Sequence, residues 1–304
     1  MSERASVPTE EADAADEESA DEQAAVESGA EAVVAGLEAA GVELIFGVTG
    51  GAIMPVYDAL YEHDSITHVT MAHEQGAAHA ADAYGIVTGE PGVCMATSGP
   101  GATNLVTGLA DANMDSDPMV ALTGQVPTDF VGNDAFQETD TIGVTQPITK
   151  HNSFADDADL VGEEVGTAWA LANEGRQGPT LVDLPKDVTQ DETDRTPGSP
   201  RTPDTYQPPE RADETVVQDA ADAIAAADRP VILSGGGVIK GEAWDELSAF
   251  ATEYGIPVIT TMPALGSFPE DHDLALGMAG MHGTGYANLA ISNTDLLVGI
   301  GTRF

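Results

Sequence analysis

The stretch GVCMATSGPGATN, residues 92–104, predicts the fold class of this chain. It begins with a short apolar run, Val93 to Ala96, passes through the glycine turn Ser98-Gly99-Pro100-Gly101, and continues into residues that suit the start of a helix. A short apolar strand followed by a glycine turn and a helix is typical of a parallel sheet covered by helices on both faces. Cys94, the only cysteine, is expected to be a buried strand residue.

The same alternation extends in both directions from this stretch. Strand-like apolar runs occur at 44–48, 66–71, 93–96, 119–122 and 180–184, and helix-like segments lie at 53–62, 74–87, 102–112 and 158–173. We therefore predict a doubly wound parallel-sheet α/β domain over residues 28–189, beginning at the capping box Ser28 to Glu31. In open sheets of this class, ligands bind at the carboxyl ends of the strands.

The flanking regions differ from this domain in composition. Residues 1–27 are acidic and contain no aromatic residue, so a disordered tail is predicted. Residues 190–212 contain five prolines and are predicted to be a linker that runs over the surface. Residues 213–304 again alternate between helix and strand, which indicates a second, incomplete Rossmann-like α/β domain. Because the sequence ends just after a strand and its glycine turn, we expect it to be part of a longer protein.

The charge of the chain excludes several classes of partner. Asp and Glu number 52 against 10 Lys and Arg, which gives a formal net charge of -42. Such an imbalance disfavours DNA, RNA and anionic membranes as partners. No apolar run approaches the ~20 residues that a membrane-spanning helix needs, and the N-terminus lacks the basic and apolar parts of a signal peptide. We therefore expect a cytoplasmic protein.

Three motifs are candidates for a binding or catalytic site, and the residues alone leave each of them open. Glu74 stands at a strand-to-helix junction and could be a working carboxylate, although its position alone favours an interaction with the helix dipole. The turns Ser98–Gly101 and Gly235–Gly237 could bind anions or could be ordinary loops. His73 and His79 are six residues apart, not the four that place two imidazoles on one helix face, so zinc is excluded and no metal ligand is expected.

Seven segments, occurring in order, resemble the catalytic large subunits of acetolactate synthases, which are thiamine-diphosphate enzymes. These segments are 50–58 (GGAIMPVYD), 73–78 (HEQGAA), 96–104 (ATSGPGATN), 123–126 (TGQV), 134–138 (DAFQE), 149–152 (TKHN) and 182–187 (VDLPKD). The resemblance runs from about residue 28 to residue 304. It implies a pyrimidine-binding domain followed by the start of a central domain.

The resemblance also implies an activity. Such enzymes decarboxylate pyruvate and join the product to a second 2-oxo acid, either pyruvate or 2-oxobutyrate, in branched-chain amino-acid biosynthesis. The implied cofactors are thiamine diphosphate, Mg²⁺ held by a third domain that these residues do not include, and a structural FAD. The implied assembly is a homodimer or tetramer, with a small regulatory subunit as a further partner. The fragment by itself is expected to be inactive.

The resemblance assigns roles to individual residues. The catalytic set is Glu74, Gly51 and Gln125, and the substrate channel includes Phe136, Gln137 and Lys186. The cofactor-binding set is Gly50, Ser98, Gly99, Asn104, Arg176, Gly235, Gly236, Gly237, Thr261, Met262, Met281, His282, Gly301 and Arg303. Within that set, the residues from Arg176 onward are expected to hold the flavin. The sequence departs from the family at Gly85-Ile86, where Ala-Arg is usual.

Two other functions remain open from sequence. One is a different thiamine-diphosphate enzyme on the same fold, such as a 2-oxo-acid decarboxylase or a sulfoacetaldehyde-type acetyltransferase, since fold alone does not separate these activities. The other is a non-catalytic remnant that only associates with a partner subunit. Bound FAD would favour the acetolactate synthase, and a downstream reading frame that carries the metal motif would dismiss the remnant.

The acidic composition predicts salt-dependent stability, as in a protein from the salt-loaded cytoplasm of a haloarchaeon. Because the Debye length falls to ~3 Å in molar salt, repulsion between the acidic side chains is largely screened there. The Tm of the chain should therefore rise markedly between low and molar KCl, as measured by circular dichroism. A Tm that does not change over this range would contradict the hypothesis.

Overall fold

The computed structural model describes residues 26–209 and 211–304. The predicted disordered tail therefore lies outside the described residues, except for Val26 and Glu27. Val26 is buried, and the Glu27 carbonyl accepts a hydrogen bond from the Thr193 amide at 3.3 Å. In the described part of the chain, no helix is both long and apolar enough to cross a membrane.

Residues 28–190 form a six-stranded parallel sheet with helices on both faces. The strands are β1 (Leu44–Gly47), β2 (Thr67–Thr70), β3 (Gly92–Ala96), β4 (Met119–Gln125), β5 (His151–Phe154) and β6 (Pro179–Pro185), in the spatial order β2-β1-β3-β4-β6-β5. The helices are α1 (Gly29–Ala39), α2 (Met54–Tyr61), α3 (Glu74–Thr88), α4 (Pro100–Asn104), α5 (Val106–Asp115), α6 (Thr141–Thr145), α7 (Val161–Asn173) and α8 (Lys186–Gln190). This confirms the predicted parallel α/β class.

The two faces of the sheet are covered by different helices. Along β3, Val93 and Met95 pack with α1, α2 and α7, whereas Cys94 and Ala96 pack with α3 and α5. Cys94 is fully buried, as predicted, and burial raises the pKa of its thiol to about 12. Strands that are apolar on both faces are what a doubly covered parallel sheet requires.

Residues 213–304 form a second parallel sheet. Its elements are α9 (Glu214–Ala226), β7 (Pro230–Ser234), α10 (Gly237–Lys240), α11 (Trp244–Tyr254), β8 (Val258–Thr260), β9 (Ala275–Met278), α12 (Gly285–Asn293) and β10 (Leu296–Ile300). The spatial order is β10-β7-β8-β9. The segment between the two sheets, which includes Pro197 and Pro200, runs along the outside of α7.

Two strands were not predicted from the sequence. β5 reads His-Asn-Ser-Phe, which has neither an apolar run nor a regular alternation. β9 contains Gly277 at a φ of +71° and pairs with β8 across a register shift. Both strands lie at an edge of their sheet and pair with only one neighbouring strand among the described residues. Their sequences therefore need not show the apolar pattern by which a central strand is predicted.

Helix α3 lies unusually close to the elements beneath it. A Cβ added to Gly92 would lie 1.9 Å from the Ala81 carbonyl oxygen, and one added to Gly108 would lie 2.4 Å from the Ala78 Cβ. Ala77, Ala78 and Ala81 are fully buried in this contact. The small residues that follow Glu74 therefore allow α3 to approach β3 and α5.

Candidate active site

The predicted site residues of the first domain gather where the strand order reverses. β1 and β3 are neighbours in the sheet. From β1 the chain continues to β2 on one side, and from β3 it continues to β4 on the other side, so the two connections diverge. A crevice at such a switch point is where doubly wound sheets bind ligands. The loops that follow these two strands carry Gly50, Gly51, Ser98 and Gly99.

Thr97 fixes the position of the first of these loops. Its Oγ1 accepts a hydrogen bond from the Ala52 amide at 3.2 Å, and a Cβ added to Gly50 would lie 2.4 Å from the Thr97 Cβ. A Cβ on Gly51 would meet no atom of the described residues within 4 Å. Gly50 is thus required for packing, whereas Gly51 lies on the open side of the loop. The sequence interpretation did not single out Thr97, although the residue directly precedes the glycine turn.

Glu74 is the first residue of α3, but its side chain does not cap that helix. The cap is His73, whose Nδ1 accepts a hydrogen bond from the Gln75 amide at 3.1 Å. The half-buried Glu74 carboxylate instead accepts a hydrogen bond at Oε2 from the Asn104 side-chain amide at 2.9 Å. A Cβ on Gly101 would lie 3.6 Å from Oε1. Glu74 therefore joins α3 to α4, with one carboxylate oxygen facing the glycine turn.

The loop after β4 packs on that glycine turn. Gly99 has a φ of +53°, and a Cβ there would lie 2.4 Å from the Gln137 carbonyl oxygen. Glu138 holds this loop by accepting hydrogen bonds from the Gly132 and Ala135 amides, which keep the pKa of its carboxyl below the ordinary value. The Phe136 side chain is 87% exposed. The predicted channel residues Phe136 and Gln137 thus lie beside Gly99, on the solvent side.

Gln125 lies inside the domain and its polar atoms are engaged there. Its Nε2 donates to the Thr139 carbonyl at 2.8 Å and to Asp183 Oδ2 at 3.0 Å, and its Oε1 accepts from the Val126 amide at 2.8 Å. Asp183 also accepts from the Thr123 hydroxyl at 2.6 Å. Burial raises the pKa of Asp183 to about 6, against the lowering effect of these hydrogen bonds. Through these hydrogen bonds Gln125 links the end of β4 to β6 at the side of the site. The catalytic role of Gln125 stays a prediction.

Lys186 lies one strand further from the switch point. It is the half-buried first residue of α8, directly after β6. Its neighbour Asp187 accepts hydrogen bonds from the Thr128 amide at 3.0 Å and from the Thr128 hydroxyl. The start of α8 and the loop that carries Phe136 are therefore joined, which places Lys186 at the base of that loop.

The residues expected to hold a flavin form a separate cleft of about 770 Å³ between the two sheets. Its lining includes Arg176, the turn Gly235–Gly237, Thr261, Gly301 and Arg303. Met262 follows Thr261 but is exposed and lies outside the lining, and Met281 and His282 are exposed elsewhere on the second domain. The structure thus brings together seven of the ten residues predicted for this purpose.

Both arginines of the cleft contact the carboxyl end of α5. Arg176 donates from Nε to the Ser116 hydroxyl at 2.8 Å and from one Nη to the Asn113 carbonyl at 3.2 Å. Arg303 donates to the Met114 carbonyl at 2.6 Å. Cations are favourable at this end of a helix because its last carbonyls are unpaired. Each guanidinium has five N–H donors, so each retains several that can bind an anion in the cleft.

The glycines of the cleft have a packing role. A Cβ on Gly235 would lie 2.3 Å from the Gly301 carbonyl oxygen, and one on Gly237 would lie 2.8 Å from the same atom. The Gly235 amide donates to the Ile300 carbonyl at 2.8 Å, and the Gly237 amide donates to Gly301 at 2.9 Å. The ends of β7 and β10 therefore join through their backbones alone, and this contact forms one wall of the cleft.

Comparison with known proteins identifies relatives of both domains. Two domain models match the chain: the thiamine pyrophosphate enzyme N-terminal TPP binding domain over residues 27–144, and the thiamine pyrophosphate enzyme central domain over residues 217–304. The chain is 52% identical over 276 residues to the acetolactate synthase of Mycobacterium bovis. It is 51% identical over 276 residues to the acetolactate synthase large subunit of Corynebacterium glutamicum, and 51% identical over 279 residues to a probable acetolactate synthase large subunit of Methanocaldococcus jannaschii.

These alignments cover most of this chain but not of its relatives. Each spans 90% of the chain, whereas the shares of the three relatives are 44%, 44% and 47%. The chain therefore spans less than half the length of the curated relatives that it matches.

The raised pKa of Asp183 predicts a pH-dependent contribution to stability. The folded state keeps a proton that the unfolded chain releases at the ordinary pKa of 3.8, so the contribution is full below about pH 4 and is lost as the pH rises through about 6. Asp183→Asn is neutral at every pH. Relative to this variant, the wild type should lose on the order of 3 kcal/mol of unfolding free energy between about pH 4 and pH 7, measured by denaturant titration.

A charge-matched control separates this effect from the general acidity of the chain. Asp191 is exposed, and Asp191→Asn should follow the wild-type pH dependence. If the unfolding free energies of the wild type and Asp183→Asn changed with pH in the same way, the pKa of Asp183 would be the same in the folded and unfolded states, and the prediction would be wrong.

Proposed function

Because the chain belongs to the thiamine pyrophosphate enzymes, we propose that it supplies the N-terminal and central domains of an acetolactate synthase large subunit. The proposed reaction is decarboxylation of pyruvate followed by carbon–carbon bond formation with a second 2-oxo acid, pyruvate or 2-oxobutyrate. The observation that carries the proposal is the position of Glu74, whose carboxylate is held by Asn104 at the switch point of the sheet. Relatives that are about half identical over 90% of the chain, and are named acetolactate synthases, support the same reaction.

The surroundings of Glu74 fit a carboxylate that binds a ring nitrogen. Asn104 engages Oε2, while Oε1 faces Gly101 and takes no part in that hydrogen bond. A carboxylate that is fixed through one oxygen can accept a hydrogen bond, or take a proton, through the other. When bound, thiamine diphosphate supplies the nucleophilic carbon and the electron sink that decarboxylation of a 2-oxo acid requires.

The neighbouring loops provide shape at this site. Thr97 packs between Gly50 and Gly101, so side chains at either glycine would collide with it. Gly51 is free of such contacts and lies open, which suits a loop that faces a reacting ligand. Phe136 presents an exposed aromatic ring next to the glycine turn, and we assign it to the entrance that the substrate passes.

We also propose that the cleft between the sheets holds FAD. Its volume of about 770 Å³ lies in the range of cofactor pockets, and the spare donors of Arg176 and Arg303 suit a diphosphate. The magnesium ligands are assigned to a domain outside this chain. The proposed assembly is a dimer or tetramer of large subunits, with a small regulatory subunit as a further partner. The acidic surface, finally, is proposed to be an adaptation to high salt.

The role of Glu74 can be tested by Glu74→Gln in the complete enzyme. Gln keeps the size of the side chain and a hydrogen-bonding oxygen but takes no proton, so kcat should fall roughly 10²- to 10⁴-fold. Deuterium exchange at the reactive carbon of the cofactor should slow in parallel, as followed by NMR. The control is Glu163→Gln, because Glu163 is an exposed glutamate in the first turn of α7 and should be replaceable without loss. Wild-type exchange in Glu74→Gln would contradict the assignment.

The flavin proposal can be tested by Arg176→Ala in the same enzyme. Removal of this guanidinium should lower the ratio of bound FAD to protein, measured from the flavin absorbance of the purified enzyme. Arg201→Ala, which removes an exposed arginine between the two sheets, should leave the ratio unchanged. A flavin-free wild type, or equal flavin content in all three proteins, would count against FAD in this cleft.

A further inference from the structure

Three side chains of two packed helices lie together away from the proposed active-site residues. His79 and Asp82 are three residues apart on α3, which places them on the same face of that helix, and Asp111 lies opposite them on α5. One potential ligand atom from each residue lies within 4.8 Å of the other two. His79 Nδ1 is 3.6 Å from Asp111 Oδ2. Within residues 26–209 and 211–304, this is the only such group of three His, Cys, Asp or Glu side chains.

Asp82 provides a second observation, independent of the clustering, that points to a ligand. The residue is only 6% exposed, and its Oδ1 is buried without a hydrogen-bond partner among the described residues. A buried polar oxygen that lacks a partner costs roughly 1–3 kcal/mol, and more when it is charged. A bound cation, which accepts an electron pair from this oxygen, would remove this cost.

The charges around Asp82 also favour a cation. Its acidic neighbours are Asp117, Asp111 and Asp115, which all disfavour an unbalanced negative charge at Asp82. Lys240 pairs with Asp117, and Arg176 and Arg303 donate to backbone carbonyls in the last turn of α5. Among the described residues, neither Asp82 nor Asp111 therefore has a Lys or Arg as an ion-pair partner.

We propose that His79, Asp82 and Asp111 bind a divalent transition-metal cation of the Mn²⁺ or Zn²⁺ class. One imidazole nitrogen and two carboxylate oxygens form a mixed donor set that such ions accept, whereas Ca²⁺ and Mg²⁺ prefer oxygen ligands alone. Asp82 supplies the buried ligand. His79 and Asp111 are partly exposed, so the ion can enter from solvent and water can complete its coordination.

The bound ion would link α3 to α5 next to a contact between the two domains. Asp117 lies just beyond the end of α5 and pairs with Lys240 of the second domain. Neutralising Asp82 and Asp111 reduces repulsion around Asp117 without changing that pair. We therefore assign the site a stabilising function and no part in catalysis.

Manganese binding to the chelator-treated 304-residue chain tests the proposal. The titration is followed by the electron paramagnetic resonance signal of free Mn²⁺ at about pH 8, above the usual pKa range of His and carboxyl side chains. High KCl and an excess of Mg²⁺ suppress diffuse binding to the 52 acidic residues. We expect one saturable Mn²⁺ per chain and a higher Tm with Mn²⁺ or Zn²⁺ than without.

Variants show whether the ion occupies this cluster. Asp82→Asn and His79→Gln should each weaken Mn²⁺ binding by at least about tenfold and abolish the rise in Tm. Asp219→Asn makes the same charge change on the exposed face of α9 and should bind like the wild type. If Asp82→Asn does not fold, as judged by circular dichroism, Asp111→Asn gives the same test at an exposed position.

Two outcomes would overturn the proposal. One is a Mn²⁺ titration that shows no saturable site above the diffuse background. The other is equal binding by the wild type, His79→Gln, Asp111→Asn and the Asp219→Asn control, which would place the ion elsewhere. Neither outcome bears on the proposed carboligation, because Glu74 lies outside the cluster.

Discussion

The close approach of α3 to β3 and α5 is the constraint on which the first domain depends. Side chains no larger than alanine separate α3 from these elements, and glycines at 92 and 108 remove the atoms that would collide. This contact fixes the first turn of α3, and with it Glu74, beside α4. It also buries Asp82 two turns later, against the acidic end of α5. One helix packing thus sets the positions of the proposed catalytic carboxylate and of the proposed cation site.

Several residues that carry the resemblance to acetolactate synthases serve packing. Thr97 separates the loops at Gly50 and Gly101, Gly99 receives the backbone of Gln137, and Gln125 binds Asp183 inside the sheet. These contacts leave no room for larger residues, since a side chain added to either Gly50 or Gly99 would collide with the opposite loop. A glycine motif at the ends of strands can therefore indicate that two loops approach each other closely, and is not by itself evidence of ligand binding. Gly51, which has no such contact, is the better indicator of a ligand-facing surface.

The two arginines of the inter-sheet cleft show how one side chain can serve structure and binding together. Arg176 and Arg303 come from different domains, and both donate to the last turn of α5. Their contacts favour the two sheets staying together at this point, and Lys240 adds an ion pair to Asp117 nearby. In a chain with only 10 basic residues, three meet at the end of this one helix. A cleft built in this way can recognise an anion while it also joins the domains.

The sequence by itself determined the parallel α/β class, the order of most elements, and the burial of Cys94, because apolar runs and glycine turns report local structure and burial directly. It indicated that Glu74 stands at a helix start, but only the tertiary structure decided that His73 caps the helix while Glu74 meets Asn104, thirty residues away. The edge strands β5 and β9 also escaped prediction. Spacing along one helix excluded zinc for His73 and His79, yet the site proposed at His79 includes Asp111, which lies on α5. Contacts between elements depend on how the elements pack, and local sequence patterns carry no direct record of that packing.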